Sequence, residues 1–255
     1  MFADYKRIEE WFIGYARNFD LSVSMIQMKY RHSFDVMRFG KRIAQALKWT
    51  DGDAAVGVAA CLLHDTGRFS QYREFGTYHD GASIDHGERA YEVLKAELPY
   101  DMTDDEARDA ILQAVRWHNK KELPRLSPSV TPFCRLARDS DKLDIFKMVD
   151  GRIEDGTVGE LLPRHKVDAP ISEVLLDELE RNWRGSYKNA SSLQDFLLIQ
   201  LTWTLDINFA PALRLLEESG VLTRIRARFP EDDARVQALL DRLFALIEEH
   251  KESLA

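Results

Sequence analysis

The chain of 255 residues is poor in several things, and each shortage excludes something. It has two cysteines, Cys61 and Cys134, both in apolar surroundings and in no Cys-x-x-Cys pair. That excludes a disulfide framework and a thiolate metal site and reads both as reduced core residues. Thirteen Gly and eight Pro leave long segments without a breaker. No apolar run approaches the roughly 20 residues that span a bilayer, and the opening MFADYKRIEEWF has no signal-peptide core. The protein is therefore expected to be cytoplasmic and to need no membrane. Positive charge is also short: the formal net charge is −8. There is no strong signal for nucleic acid, which needs a basic field to displace counterions.

What is present is helical periodicity. Apolar residues recur at i, i+3, i+4 and i+7, and few stretches alternate as strands do. The pattern predicts helices over about 4–18, 22–48, 52–64, 83–97, 104–117, 131–150, 171–183, 191–206, 209–219 and 231–252. The fold class is all-α. A first domain is expected over 1–150. A Gly- and Pro-containing connector, GRIEDGTVGELLPRHKVDAP, then leads to a C-terminal helical extension, 151–255, expected to pack on the same core. The aromatic stretches NWRGSY and LTWTLDINFAP read as core and as a candidate homodimer surface. The segment QYREFGTYHDGAS, 71–83, reads as an irregular loop, too polar and broken for a helix.

Histidine and aspartate carry the chemistry. His64 (LLHDTG), His86 (SIDHGE) and His118 (VRWHNK) lie at or beside predicted helix ends, His32 (YRHSF) lies within the helix predicted over 22–48, and Asp141 (RDSDKLD) lies within a later helix. Imidazole and carboxylate together suit Fe, Mn, Ni, Co or Zn, and helical bundles supply such ligands from several helices to one core. The doublet His64-Asp65 ends an apolar run, CLLHDTGRF. On its own it allows two readings: a capped helix end, or part of a metal site. His79 has no place in the ligand pattern, His165 falls in the connector, and His250 in the solvated last helix; the last two are expected to be exposed.

In that order, His32, LLHDTGR, DHGERA, VRWHN and RDSDKLD resemble the HD superfamily of metal-dependent phosphohydrolases, over roughly 25–150. The resemblance implies an HD-type helical bundle and makes His32, His64, Asp65 and Asp141 the shared metal ligands. His86 and His118 match the subset with two divalent transition metals, in which Asp65 would bridge. His32, His64 and Asp141 would then hold one metal, and His86 and His118 the other. Paired metals about 3.5–4 Å apart lower the pKa of a bound water and clamp phosphoryl oxygens. The implied activity is hydrolysis of a phosphomonoester or phosphodiester of a nucleotide or other small phosphorylated metabolite by a metal-activated hydroxide. The alternative with the same ligand set is a di-iron oxygenase acting on a small polyol or phosphonate. By the same resemblance, the lack of a GYP tripeptide disfavours cyclic-di-GMP as substrate, and HDTGRF in place of HDxxED disfavours guanosine tetraphosphate.

Arg68 follows the doublet where the family often carries Lys, and a guanidinium there can hold a phosphate bidentately. Its bland reading is a pair with Glu74 or Asp80. Asp65 and Arg68 are the candidate catalytic residues. Lys120 and Lys142, next to His118 and Asp141, and Tyr72 and Arg73 of the 71–83 segment are the other candidate substrate contacts. Asp85 and Glu88 are read either as acceptors for a ligand imidazole or as helix N-terminal charges.

Overall fold

The computed structural model describes residues 1–254. They form α-helices joined by loops and short 3-10 turns, with no strand among the described residues and only two isolated β-bridges. No helix among them is long and apolar enough to cross a membrane. The chain divides into two compact units, 1–144 and 145–255.

The first unit contains α1 (Tyr5–Ala16), α2 (Ser24–Ala46), α3 (Asp51–Leu63), α4 (Thr66–Phe75), α5 (His86–Glu97), α6 (Asp105–Trp117) and the first part of α7 (Thr131–Glu154). Its centre is α3. From Val56 to Leu63 every side chain is buried, because VGVAACLL is apolar on all faces and such a helix finds its minimum only when surrounded. Helices α1, α2 and α6 pack around it, α5 packs on α6, and α4 packs on α5. Thr50 starts α3 by accepting from the Asp53 amide, and Asp51 and Asp53 complement the first turn. An aromatic group joins α1 to α4: Phe69 meets Phe12, Tyr15 and Phe19 at ring-centroid distances of 5.9, 6.1 and 5.5 Å.

The segment read as an irregular loop over 71–83 is only partly one. Gln71–Phe75 belong to α4, which begins one residue after the doublet and ends at Gly76 in the left-handed conformation (φ 64°). Periodicity missed this helix because its polar residues are internal as well as external: Gln71 and Ser70 are buried among hydrogen-bond partners. At Gly67 close approach decides the residue type. A Cβ there would lie 2.3 Å from the His86 carbonyl oxygen and 2.6 Å from the Ala90 nitrogen, so only glycine lets α4 reach α5.

The second unit holds the rest of α7, α8 (Val158–Leu161), α9 (Glu173–Asn182), α10 (Leu193–Thr202), α11 (Ala210–Glu218), α12 (Val221–Arg226) and α13 (Ala234–Leu254). α8 and α12 are short additions to the sequence reading. Buried Asp150 is fastened by Arg224 and Arg228, and Ser192 and Asp195 form a reciprocal capping box on α10. Two histidines expected to be exposed are half-buried. His165 stacks edge-on against Phe196, and His250 Nε2 meets the Ile207 carbonyl oxygen at 2.7 Å.

Candidate metal centre

Helix ends supply four of the six residues that converge in the first unit. His64 closes α3, Asp65 occupies the N-cap position of α4, His86 is the first residue of α5, and His118 closes α6. His32 projects from the middle of α2 and Asp141 from α7. At the doublet, the Asp65 carboxylate makes no cap hydrogen bond to α4. It turns inward instead.

Each histidine has its Nδ1 fixed from outside the cluster. His64 and His118 use the same local device, Nδ1 donating to the carbonyl three residues earlier, Cys61 and Val115, at 2.7 Å in both cases. His32 and His86 donate Nδ1 to the carboxylates of Asp144 and Asp80, each at 2.6 Å. A carbonyl can only accept, so the proton of the neutral ring sits on Nδ1 and the Nε2 lone pair faces the centre.

The four Nε2 atoms form two pairs, His32 with His64 at 3.2 Å and His86 with His118 at 3.1 Å. Asp65 lies across them. Its Oδ2 is 3.4 Å from His32 Nε2 and 3.5 Å from His64 Nε2, whereas its Oδ1 is 3.5 Å from His86 Nε2 and 3.7 Å from His118 Nε2. Asp141 Oδ1 completes the first pair, 3.1 Å from His32 Nε2 and 3.6 Å from His64 Nε2.

These contacts fit metal coordination better than hydrogen bonding. Two Nε2 lone pairs 3.1 Å apart repel unless a cation lies between them. Donors bonded to one metal at about 2.1 Å stand about 3.0 Å apart in an octahedron and about 3.4 Å apart in a tetrahedron; the two Nε2 pairs, at 3.2 and 3.1 Å, fall in that range. Two overlapping groups of possible ligands result, His32–His64–Asp141 and His64–Asp65–His118.

The charges agree. Burial together with the charge of Arg68 lowers His86 to about 3 against the pull of Asp80, and burial lowers His118, so both rings are neutral. Burial would raise both carboxylates. Lys29 and His64 outweigh it at Asp65, as His32 and His64 do at Asp141, and both stay well below the usual carboxylate range. Burial opposes protonation of His64, but Asp65 and Asp141 push it up to about 10: in the absence of another cation, a proton on this ring compensates the buried acids.

The geometry gathers His and Asp side chains that could hold a metal ion. The family model described as HD domain matches residues 30–145. Residues 30–145 are an HD domain. Members of this superfamily are metal-dependent phosphohydrolases for the most part, and the domain binds divalent metals. No curated protein and no solved structure matches the chain.

Within the HD domain, the other candidates of the sequence reading fall differently. Arg68 reaches the cluster. Its Nη1 donates to Gln71, to the Tyr78 carbonyl and to Asp80, while its Nε lies buried, without a hydrogen bond, 3.5 Å from Asp65 Oδ1. Asp80 is thus the partner, and Glu74 pairs with Arg89 instead. Lys120 is tied to Asp85. Lys142 is half-buried beside Asp141. Tyr72 packs its ring against Tyr78 at 4.9 Å. Arg73 is not brought to the cluster; its guanidinium lies over Phe19, 4.6 Å from the ring centroid, because the helical turn of α4 carries it to the opposite face from Arg68. Asp85 caps α5 through the Gly87 and Glu88 amides, and Glu88 pairs with Arg116, so both serve the helix end. His79 is exposed and takes no part.

Lys29, Asp144, Asn119 and Arg138 escaped the sequence reading, and Asp80 entered it only as a possible partner of Arg68. Lys29, one turn before His32, donates to Asp65 Oδ2 at 2.7 Å, and Asp144, one turn after Asp141, orients His32. Both were legible as i, i+3 neighbours of candidate ligands. Asp80 and Asn119 had no such signal. Asp80 holds His86, Arg68, Gln71 and Asn119 together from a 3-10 turn. Arg138 of α7 fastens the turn after α6 by donating to the His118 and Lys120 carbonyls.

Because Asp80 orients a ring and holds a cation, Asp80→Asn is expected to weaken metal binding or turnover about 10–100-fold with the fold intact. Metal titration and thermal denaturation of the variant check this; an unchanged affinity and unchanged turnover would remove Asp80 from the centre.

Proposed function

We propose that this protein is a metal-dependent phosphohydrolase that holds two divalent cations and cleaves a phosphomonoester or phosphodiester of a nucleotide or other small phosphorylated metabolite. The observation that carries the reading is the carboxylate of Asp65, whose two oxygens face two different histidine pairs. On this reading His32, His64 and Asp141 would hold one cation and His86 and His118 the other, with Asp65 a ligand they would share. Divalent cations so held supply a water ionised near neutral pH and positive charge for the phosphoryl oxygens.

The chain's own groups do the remainder. Nδ1 contacts to Cys61, Val115, Asp80 and Asp144 fix each ring before any ligand arrives, so little reorganisation is needed on binding. Arg68 keeps a buried Nε–H directed to the Asp65 side of the centre while Asp80 holds the rest of its guanidinium. A substrate phosphoryl group placed there meets a fixed donor rather than a flexible one.

The test is metal analysis of purified protein followed by hydrolysis assays with Mn, Fe, Co, Ni or Zn restored. The substrates are an aryl phosphomonoester, an aryl phosphodiester and a nucleotide panel. Two metals per chain and metal-dependent phosphate release are expected. Failure with every metal and substrate would overturn the reading, and dioxygen uptake by iron-loaded protein with a polyol or phosphonate would replace it with the oxygenase.

A further inference from the structure

Lys29 is a buried ammonium whose one ion pair is to Asp65 Oδ2, at 2.7 Å. That oxygen faces His32 and His64. Were two divalent cations to draw on the charge of Asp65, the Lys29 ammonium would be left buried without an anion of its own, a costly state unless another anion arrives. Its surroundings already suit one. Lys29 Nζ lies 5.7 Å from the Tyr78 ring centroid and Arg68 Cζ lies 5.6 Å from the same ring. Tyr78 is in turn anchored to α2, its hydroxyl donating to the Met25 carbonyl at 3.0 Å. Two cations are thereby held about one aromatic ring, one near each oxygen of Asp65.

We propose that Lys29 is a second anion-binding residue, which with Arg68 grips the phosphoryl group of the substrate around Tyr78 and is released from Asp65 to do so. The proposal rests on the phosphohydrolase reading for the identity of the anion. The flexible four-carbon stem lets Lys29 exchange partners without moving α2, whereas Arg68, held by Asp80, is the fixed member. Fixed and movable cations would select a tetrahedral oxyanion with at least two free oxygens over a neutral polyol.

Binding of inorganic phosphate to the metal-loaded protein, measured by calorimetry for wild type, Lys29→Met and Lys29→Arg, tests the assignment. In Lys29→Met the dissociation constant is expected to rise about tenfold or more, and KM for phosphoester to rise more than kcat falls, with metal content per chain unchanged. Arg restores part of the affinity. Unchanged phosphate affinity would overturn the proposal, and loss of metal from Lys29→Met would reduce Lys29 to a holder of Asp65. Should Lys29→Met fail to fold, a crystal structure of metal-loaded wild type with phosphate decides: Nζ within hydrogen-bond distance of a phosphate oxygen supports the proposal, and Nζ still on Asp65 with phosphate bound elsewhere overturns it. Wild type that binds phosphate through Lys29 but hydrolyses no ester would sink the function alone; hydrolysis equal in wild type and Lys29→Met would sink Lys29 alone.

Discussion

Asp65→Ala is expected to abolish both metal binding and turnover. Its two oxygens each stand within 3.4–3.7 Å of two Nε2 atoms, Oδ2 beside His32 and His64 and Oδ1 beside His86 and His118. Removing it withdraws a ligand from each proposed cation and leaves Lys29 buried without a counter-charge. Charge stabilisation by a bound metal is worth several kcal/mol, and each 1.4 kcal/mol is a factor of ten, so turnover should fall by about 1000-fold or more. Asp65→Asn separates the causes: it keeps the volume, removes the charge, and should lose metal as Asp65→Ala does. Metal content per chain, with circular dichroism to verify folding, is the measurement. Two metals retained in either variant would show that Asp65 does not bridge.

His118→Ala is expected to lower metal content from two per chain to one, with hydrolysis falling by about 100-fold or more, since one clamp on the phosphoryl oxygens is lost while the other stays. The structure separates the two consequences because His32, His64 and Asp141 converge without help from His118. His118 is also at the end of α6, where its Nδ1 closes the last turn on Val115, so a small loss of stability accompanies the substitution. Metal titration resolves the steps: a single high-affinity site should persist. Loss of both metals would mean that the pair binds as one cooperative unit, and retention of both would remove His118 from the ligand set.

Some of this was visible in one dimension. Helices α2, α3, α6 and α7 announce themselves because apolar spacing is a local property, and the run VGVAACLL requires burial on all sides wherever it folds. The six His and Asp residues could be picked out by type and order, and the structure brings all six together. The surroundings of the doublet could not. Whether Asp65 caps α4 or faces the histidines depends on Lys29, 36 residues away in sequence. The tautomer of His32 depends on Asp144, 112 residues away. α4 was hidden because part of its buried face is polar, with Gln71 satisfied by Asp80, Ser83 and the Ile84 carbonyl from the following loop.

By itself, then, the sequence determined a helical protein with an HD signature and a set of candidate ligands, since composition and periodicity act between near neighbours. Only the tertiary structure decided that Asp65 lies across two pairs of imidazoles, that Asp80 and Asp144 aim two of the rings, that Arg73 leaves the cluster while Arg68 stays, and that Lys29 pairs with Asp65. Those outcomes are fixed by contacts between distant segments, where burial makes each carboxylate and ammonium find a partner, and no spacing rule encodes which partner that will be.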